Sequence, residues 1–360
     1  MAKGNQSNDA VVSSTELLSR RECTLMRGLA IIVIVIDNFT HLLNGVYRDN
    51  EFNFIWQSVS GTLENLAHPD QLTPYNLISF LCPYGLMLFI FLSGYCLTMK
   101  YERGDTPDSS CINFIAGHYK KLFLMQLKGL ALFLAVLLLF FSVKIDVYAI
   151  SLQAFLVGNL HPNIDCLPGP YWFFGMIMEM YVIYRLVIYR RADGFAIALT
   201  AISLLVMAFT DPEGKLLRYL RYNCFIAILP FCMGVLAARH FNHSSLSIDK
   251  PAICLRWLVL SSILLIACKF NFYSWLVMPV FVIITGLTLV KLIIKVKWLD
   301  IIFGWLGALS GVLFVMHPIV RQVLLPKANE SGAYAITLLI YLIITIGLSL
   351  LLKPVFIRKK

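Results

Sequence analysis

Residues Met26–Leu43 read MRGLAIIVIVIDNFTHLL, and the reading of this stretch decides the fold. From Gly28 to Ile36 no residue carries a polar side chain. The run has the length and character of a helix that crosses a bilayer, which takes about 20 apolar residues. It is not plain, however. Arg27 opens it, and Asp37, Asn38 and His41 lie near its far end. Charged groups at the centre of a spanning helix cost about 2.5–3.5 kcal/mol each on insertion scales, so such residues usually line a site or a pathway. At about 100° per residue, Asn38 falls roughly 20° from Arg27 around the axis, and His41 roughly 40° to its other side. The three share one face, with Arg27 and His41 about 21 Å apart along the axis. Asp37 precedes His41 by one helical turn, within hydrogen-bonding reach along the helix.

The rest of the chain agrees with a membrane reading. Of 360 residues, 59% are hydrophobic and only 14% charged, and the mean hydropathy is +0.77. A soluble domain of this length needs far more polar surface. Apolar runs of spanning length recur, and none alternates with period two, which argues against a β-barrel. The expected class is an all-α, polytopic integral membrane protein. About ten transmembrane helices are expected, near 24–43, 77–99, 122–142, 171–189, 194–210, 222–239, 253–269, 272–290, 301–320 and 333–352. The net charge of +10 is spread between the runs rather than gathered in one domain, so nucleic acid is not an expected partner. With both termini cytoplasmic, most lysines and arginines fall inside, as the positive-inside rule requires. The expected location is the plasma (inner) membrane, with the bilayer itself as a partner. Residues 1–20 read as a disordered cytoplasmic tail and 21–360 as a single domain. The loops 44–76 and 143–170 lie outside, the second with a short re-entrant or interfacial helix. The nine cysteines show no paired spacing, and no metal-ligand pattern is present.

Further polar residues interrupt other spans. GLMLFIFLSGYCL places Gly85, Phe89 and Ser93 on successive turns, followed by Gly94; small-residue helix packing is the alternative reading. PYWFFGMIMEMYVIYRL puts Glu179 among apolar neighbours, with Trp172 on nearly the same face. LGALSGVLFVMHPIVRQ aligns Ser310, His317 and Arg321 in one stripe, and the proline after His317 frees a backbone carbonyl one turn back. HYKKLFLMQLK opens the third span with His118, Lys120 and Lys121.

Taken in order, RGLA, FIFLSG, the basic start of the third span, YWFFGMIMEMYVIY and LGALSGVLFVMHP resemble membrane-bound acyltransferase family 3, whose members O-acylate cell-surface glycans and related acceptors. The match runs over most of the chain. The resemblance implies a ten-helix fold and an acyltransferase, with an acetyl or other short acyl group taken from cytoplasmic acetyl-CoA (acyl-CoA) and passed to a hydroxyl. It implies no bound cofactor. Arg27 matches the family's first-span arginine. The chain departs from the pattern eleven residues later, where Asn38 stands in place of the usual histidine and His41 is the nearest imidazole. It departs again in the third span, with His118 and Lys121 where paired arginines are usual.

From this resemblance, donor phosphates are expected on Arg27, Lys120 and Lys121 with His118 nearby. His41, oriented by Asp37, is expected as general base or acyl carrier. Asn38, Ser93 or Ser310 is expected as oxyanion donor. Trp172, Glu179, His317 and Arg321 are expected to line the acceptor side, with Tyr171 and Tyr181 as sugar-stacking rings. The reading requires the Arg27 guanidinium and the His41 imidazole to face one cavity shared with the second, fourth and ninth spans. The alternative is a transporter of a glycan, lipid or small anion along the same polar stripes. A third reading is an inactive scaffold of envelope synthesis.

Overall fold

The structure is a computed structural model describing residues 16–104, 106–141, 144–161, 166–242 and 250–356. All regular structure among these residues is helical. In chain order the helices are α1 (Arg20–Thr40), α2 (Trp56–Ala67), α3 (Thr73–Leu81), α4 (Gly85–Tyr101), α5 (Cys111–Phe140), α6 (Val147–Ala154) and α7 (Trp172–Ile183). They continue with α8 (Asp193–Ala208), α9 (Lys215–Tyr222), α10 (Cys224–His240), α11 (Pro251–Cys268), α12 (Phe272–Ile293), α13 (Lys297–Ser331) and α14 (Tyr334–Phe356).

Eight helical segments are long and apolar enough to cross a membrane, and nine if the bent pair α9–α10 counts as one span. The expected fifth span appears as α8, whose 16 residues fall short of the others. The second span is not one rod. It breaks at Cys82–Tyr84 between α3 and α4, where Pro83 cannot donate to a helical ladder. A second break, at Asn223, bends α9 against α10 by 47°. Non-helical backbone at membrane depth is tolerated where it lines a cavity or is buried in protein, and the first break does line one. The expected short helix in 143–170 is α6, followed by a single turn at Gly158–Leu160; residues 142–143 and 162–165 of that loop lie outside the described residues.

Local chemistry sets where α1 begins. Ser19 caps it, accepting from the Glu22 N–H, and Glu22 reaches back to the Ser19 N–H, a reciprocal capping box. Glu22 also pairs with Lys291 at 2.7 Å, both nearly sealed from solvent. Ahead of the cap, Leu17 and Leu18 are fully buried. The Leu18 N–H donates to the Tyr95 hydroxyl, and Lys291 donates to the Leu17 carbonyl. The expected free tail through residue 20 therefore ends earlier, because residues 16–19 dock into the bundle; residues 1–15 lie outside the described residues.

α1 packs most extensively along α13, and α4 along α10. Backbone contact explains the glycines there. A Cβ on Gly28 would overlap the Phe303 carbonyl, and one on Gly307 the Thr24 carbonyl. Gly94 and Gly234 face the carbonyls of Phe231 and Phe91 in the same way, the close approach that small residues allow between helices in lipid. α1 and α13 run in the same direction: Arg21 pairs with Asp300 near their starts, and Arg321 meets Asn38 near their ends. α11 and α14 bury few of their apolar residues and form the bundle's periphery.

Candidate active site

The polar residues of the spans gather at two depths. At the C-terminal end of α1, a cavity of about 120 Å³ is lined by Asp37, Asn38, His41, Glu51, Trp172 and Arg321, among others. It takes residues from α1, from the α3–α4 break (Cys82, Pro83), from the first turn of α4 (Leu86), from the start of α7 and from α13, with Arg48, Asn50, Glu51 and Phe52 across its mouth. The His41 imidazole thus meets the second, fourth and ninth spans in one cavity, as the sequence reading requires.

Arg27 does not reach that cavity. It lines a cleft at the other end, of about 260 Å³, with Ser93, Cys96, Lys100, His118, Lys121 and Tyr181. A larger groove of about 1070 Å³ continues past Arg27, Cys96 and Lys100 to Arg20, Cys23 and Arg103. The expectation of one common cavity is therefore corrected to two. Angular position around a helix says nothing about depth, and the 21 Å between Arg27 and His41 spans both chambers. The partition is thin. Leu86 lines the outer chamber and Phe89 the inner one, a single turn apart on α4.

In the outer chamber, His41 Nδ1 lies 3.3 Å from Asp37 Oδ2. Asp37 is the acceptor there, so Nδ1 carries the proton and Nε2 is left with a lone pair and no partner among the described residues. Asp37 Oδ1 is buried without a hydrogen-bond partner. Arg321 Nη1 donates to Asn38 Oδ1 at 2.9 Å and to its carbonyl at 3.1 Å. The Asn38 amide nitrogen in turn donates to the Ile34 carbonyl at 3.0 Å. Asn38 is thus a ligand for Arg321 more than a free donor, and the guanidinium keeps Nη2 and Nε for other partners. Aromatic rings form one wall. Phe52 stacks on Tyr222 with centroids 4.1 Å apart, and Trp172 meets both edge-on.

The loop over this chamber is fixed from several sides. Asp49 forms a buried ion pair with Lys269, whose ammonium lies over Phe80 and Tyr84. The Ser58 hydroxyl donates to the Arg48 carbonyl, Arg221 donates to the Glu51 carbonyl, and Asn53 bonds back to the Pro212 and Gly214 carbonyls. Burial, with the charge of Asp37 beside it, pushes the Glu51 carboxyl up to about 7.

In the inner chamber, Arg27 Nη2 donates to Cys96 Sγ at 3.6 Å, and Cys23 shares the adjoining groove with both. Ser93 donates to the Phe89 carbonyl one turn back. His118 Nδ1 lies 2.7 Å from the Phe114 carbonyl, and its ring packs among Phe114, Tyr101 and Tyr181. Lys121 lines the cleft, whereas Lys120 points away into an exposed position.

Four expected site residues lie elsewhere. Glu179 accepts from Asn159 Nδ2 and from the Cys224 N–H, so it satisfies the start of α10 and the bend at Asn223. Ser310 is buried and donates to the Gly307 carbonyl at 2.9 Å, inside the α1–α13 seam. His317 is fully buried, with Nδ1 3.2 Å from the Leu313 carbonyl one turn back and Nε2 without a hydrogen-bond partner among the described residues. None of the three lines either chamber. Lys120 is the fourth. Tyr171 is buried with its hydroxyl on the Val315 carbonyl, and Tyr181 belongs to the inner cleft, so neither ring is free to stack on a sugar in the outer one. The sequence reading missed Arg48, Glu51 and Cys96. The first two sit in a loop without periodicity, and a cysteine within an apolar run carries no pattern of its own.

These features define a class: a multi-pass helical membrane protein with a basic chamber and an imidazole–carboxylate chamber back to back. The sequence profile of acyltransferase family 3, described as an acyltransferase domain, matches residues 21–353. The chain belongs to that family. No curated protein and no solved structure matches it.

Proposed function

We propose that this membrane acyltransferase moves an acetyl or other short acyl group from cytoplasmic acyl-CoA to a hydroxyl of a cell-surface glycan. The observation that carries this reading is the His41–Asp37 pair, facing a cavity that ends one helical turn from a basic cleft. The donor's phosphates suit the cleft and groove bearing Arg20, Arg27, Lys100, Arg103 and Lys121. The groove's volume matches pockets for ligands of cofactor size, roughly 300–1,000 Å³. The outer chamber is smaller than that range and admits only the reacting edge of an acceptor.

In the reaction, His41 Nε2 takes the proton of the acceptor hydroxyl as its oxygen attacks the thioester carbonyl. Asp37 holds the ring and stabilises the imidazolium that forms. The free N–H groups of Arg321 face the developing oxyanion, a role the sequence reading gave to Asn38, Ser93 or Ser310. The C–S bond then breaks, and the proton passes from His41 to the departing thiolate. For the two halves to meet, the thioester arm parts the layer of Ile34, Leu86 and Phe89, beside the break that interrupts the second span.

The test combines two readouts. Purified full-length protein is expected to release free thiol from acetyl-CoA when acceptor is supplied. Mass spectrometry of surface glycans from a deletion strain is expected to show lost O-acyl groups. Unchanged glycans together with no thiol release would refute the proposal.

A further inference from the structure

Arg48 stands out among the residues of the outer chamber. Its backbone is held firmly. The Tyr47 N–H donates to Asn76 at 2.8 Å, the Ser58 hydroxyl to the Arg48 carbonyl at 2.5 Å, and the Asp49 N–H to Ser79 at 3.2 Å. Asp49 is further tied by its buried pair with Lys269. The Arg48 guanidinium, in contrast, has no hydrogen bond and no ion pair among the described residues, though it lines the chamber at its exposed mouth.

Arg321 likewise has no carboxylate within ion-pair distance among the described residues, and it lies close enough to feel the charges of both Arg48 and Asp37. Two unpaired guanidinium groups on one cavity repel each other unless an anion lies between or beside them. The nearby carboxylates do not meet this need. Asp37 is committed to His41, and Glu51, its carboxyl pushed up to about 7 by burial and by Asp37, is only partly charged at physiological pH and forms no ion pair with either guanidinium among the described residues. The chamber therefore offers a clamped, positively charged mouth, a stacked wall of Phe52, Tyr222 and Trp172, and a buried base. Rings of this kind suit the apolar face of a sugar, and a guanidinium suits a carboxylate or phosphate in bidentate fashion.

We propose that the acceptor is an acidic glycan, whose sugar carries a carboxylate or phosphate that Arg48 grips beside the hydroxyl to be acylated. This rests on the acyltransferase reading above and adds the acceptor's charge. Because the chamber admits only part of the acceptor, the anionic group stays at the mouth, where Arg48 is, while the hydroxyl reaches His41.

The experiment uses full-length protein in detergent and three probes: D-glucuronate, D-glucose 1-phosphate and D-glucose. Calorimetric titration without donor reads binding, and thiol release from acetyl-CoA reads transfer. At least one anionic sugar is expected to bind about tenfold tighter than glucose, the effect of one charge-assisted contact. Which of the two binds tells carboxylate from phosphate. Arg48→Gln is expected to reduce that preference to less than threefold, and Arg48→Lys to retain part of it. Equal binding of all three sugars to the unmodified protein, or an undiminished preference in a folded R48Q, overturns the proposal. If R48Q does not fold, the three-probe comparison on the unmodified protein and on R48K still decides. Failure of the acyltransferase reading looks different: the anionic sugar binds with the expected preference, yet no thiol is released.

Discussion

Replacing His41 with alanine tests the catalytic arrangement most directly. In the structure the ring is held by a single contact, Nδ1 at 3.3 Å from Asp37 Oδ2, and both side chains are almost enclosed, at 11% and 6% exposure. Loss of a positioned general base typically lowers turnover by about 10²–10⁴-fold, or about 2.7–5.4 kcal/mol at 1.36 kcal/mol per tenfold. The substitution also has a structural cost. It leaves Asp37, whose Oδ1 already has no partner, without its remaining one; an unsatisfied buried polar group costs about 1–3 kcal/mol, more when charged. Melting in detergent must therefore be followed alongside activity. Asp37→Asn/His41→Ala is expected to regain stability relative to His41→Ala but no activity. Because Asp37 acts through the ring, the double variant should turn over no more slowly than His41→Ala. The assay is thiol release from acetyl-CoA by full-length protein with acceptor. A folded His41→Ala within threefold of the unmodified protein refutes the base assignment. Additive losses in the double variant refute the role given to Asp37.

Other outcomes follow from the two chambers. Lys121→Ala should raise the apparent KM for donor roughly two- to fivefold, as expected for an exposed charge contact, and leave turnover nearly intact, whereas Lys120→Ala should change neither; steady-state kinetics with acetyl-CoA separate them. Cys96 lines both parts of the basic chamber, so coenzyme A should slow its modification by a maleimide, read by peptide mass spectrometry; unchanged labelling would remove the donor from that groove. The Glu51 carboxyl sits near 7 in the fold against an ordinary 4.5, so its contribution to stability is present below about 4.5 and is lost as pH rises through about 7. Melting temperature should therefore fall less from pH 5 to pH 8 in Glu51→Gln than in the unmodified protein. Asp49→Ala strands the buried Lys269 ammonium and should destabilise the fold by about 3–5 kcal/mol in detergent unfolding, the usual cost of breaking a buried pair.

Much of the architecture was legible because spanning helices are a local property. Length and hydropathy alone placed α1, α11, α12 and α14 close to where they lie, and found α5 but not its first eleven residues. Small residues in FIFLSG read as packing residues, and Gly94 does lie against the Phe231 carbonyl. The pairing of Asp37 with His41 also came from local spacing, since one helical turn fixes both partners. Where the backbone departs from regularity the sequence said less. Pro83 splits the second span and its break forms a chamber wall, a role that periodicity does not encode.

The sequence by itself thus determined the class of the protein, the course of most spans and the presence of polar groups inside them, because hydrophobic length and helical pitch act over a few residues. Tertiary structure decided which of those groups act together. It paired Asn38 with Arg321 across 283 positions of chain, brought Arg48 and Glu51 over the His41 chamber, and withdrew Glu179, Ser310 and His317 to bond backbone groups at a bend, a seam and the turn before a proline. It also separated Arg27 from His41. A shared helix face fixes direction but not depth, and the bundle seals between the two levels with apolar side chains from helices far apart in sequence.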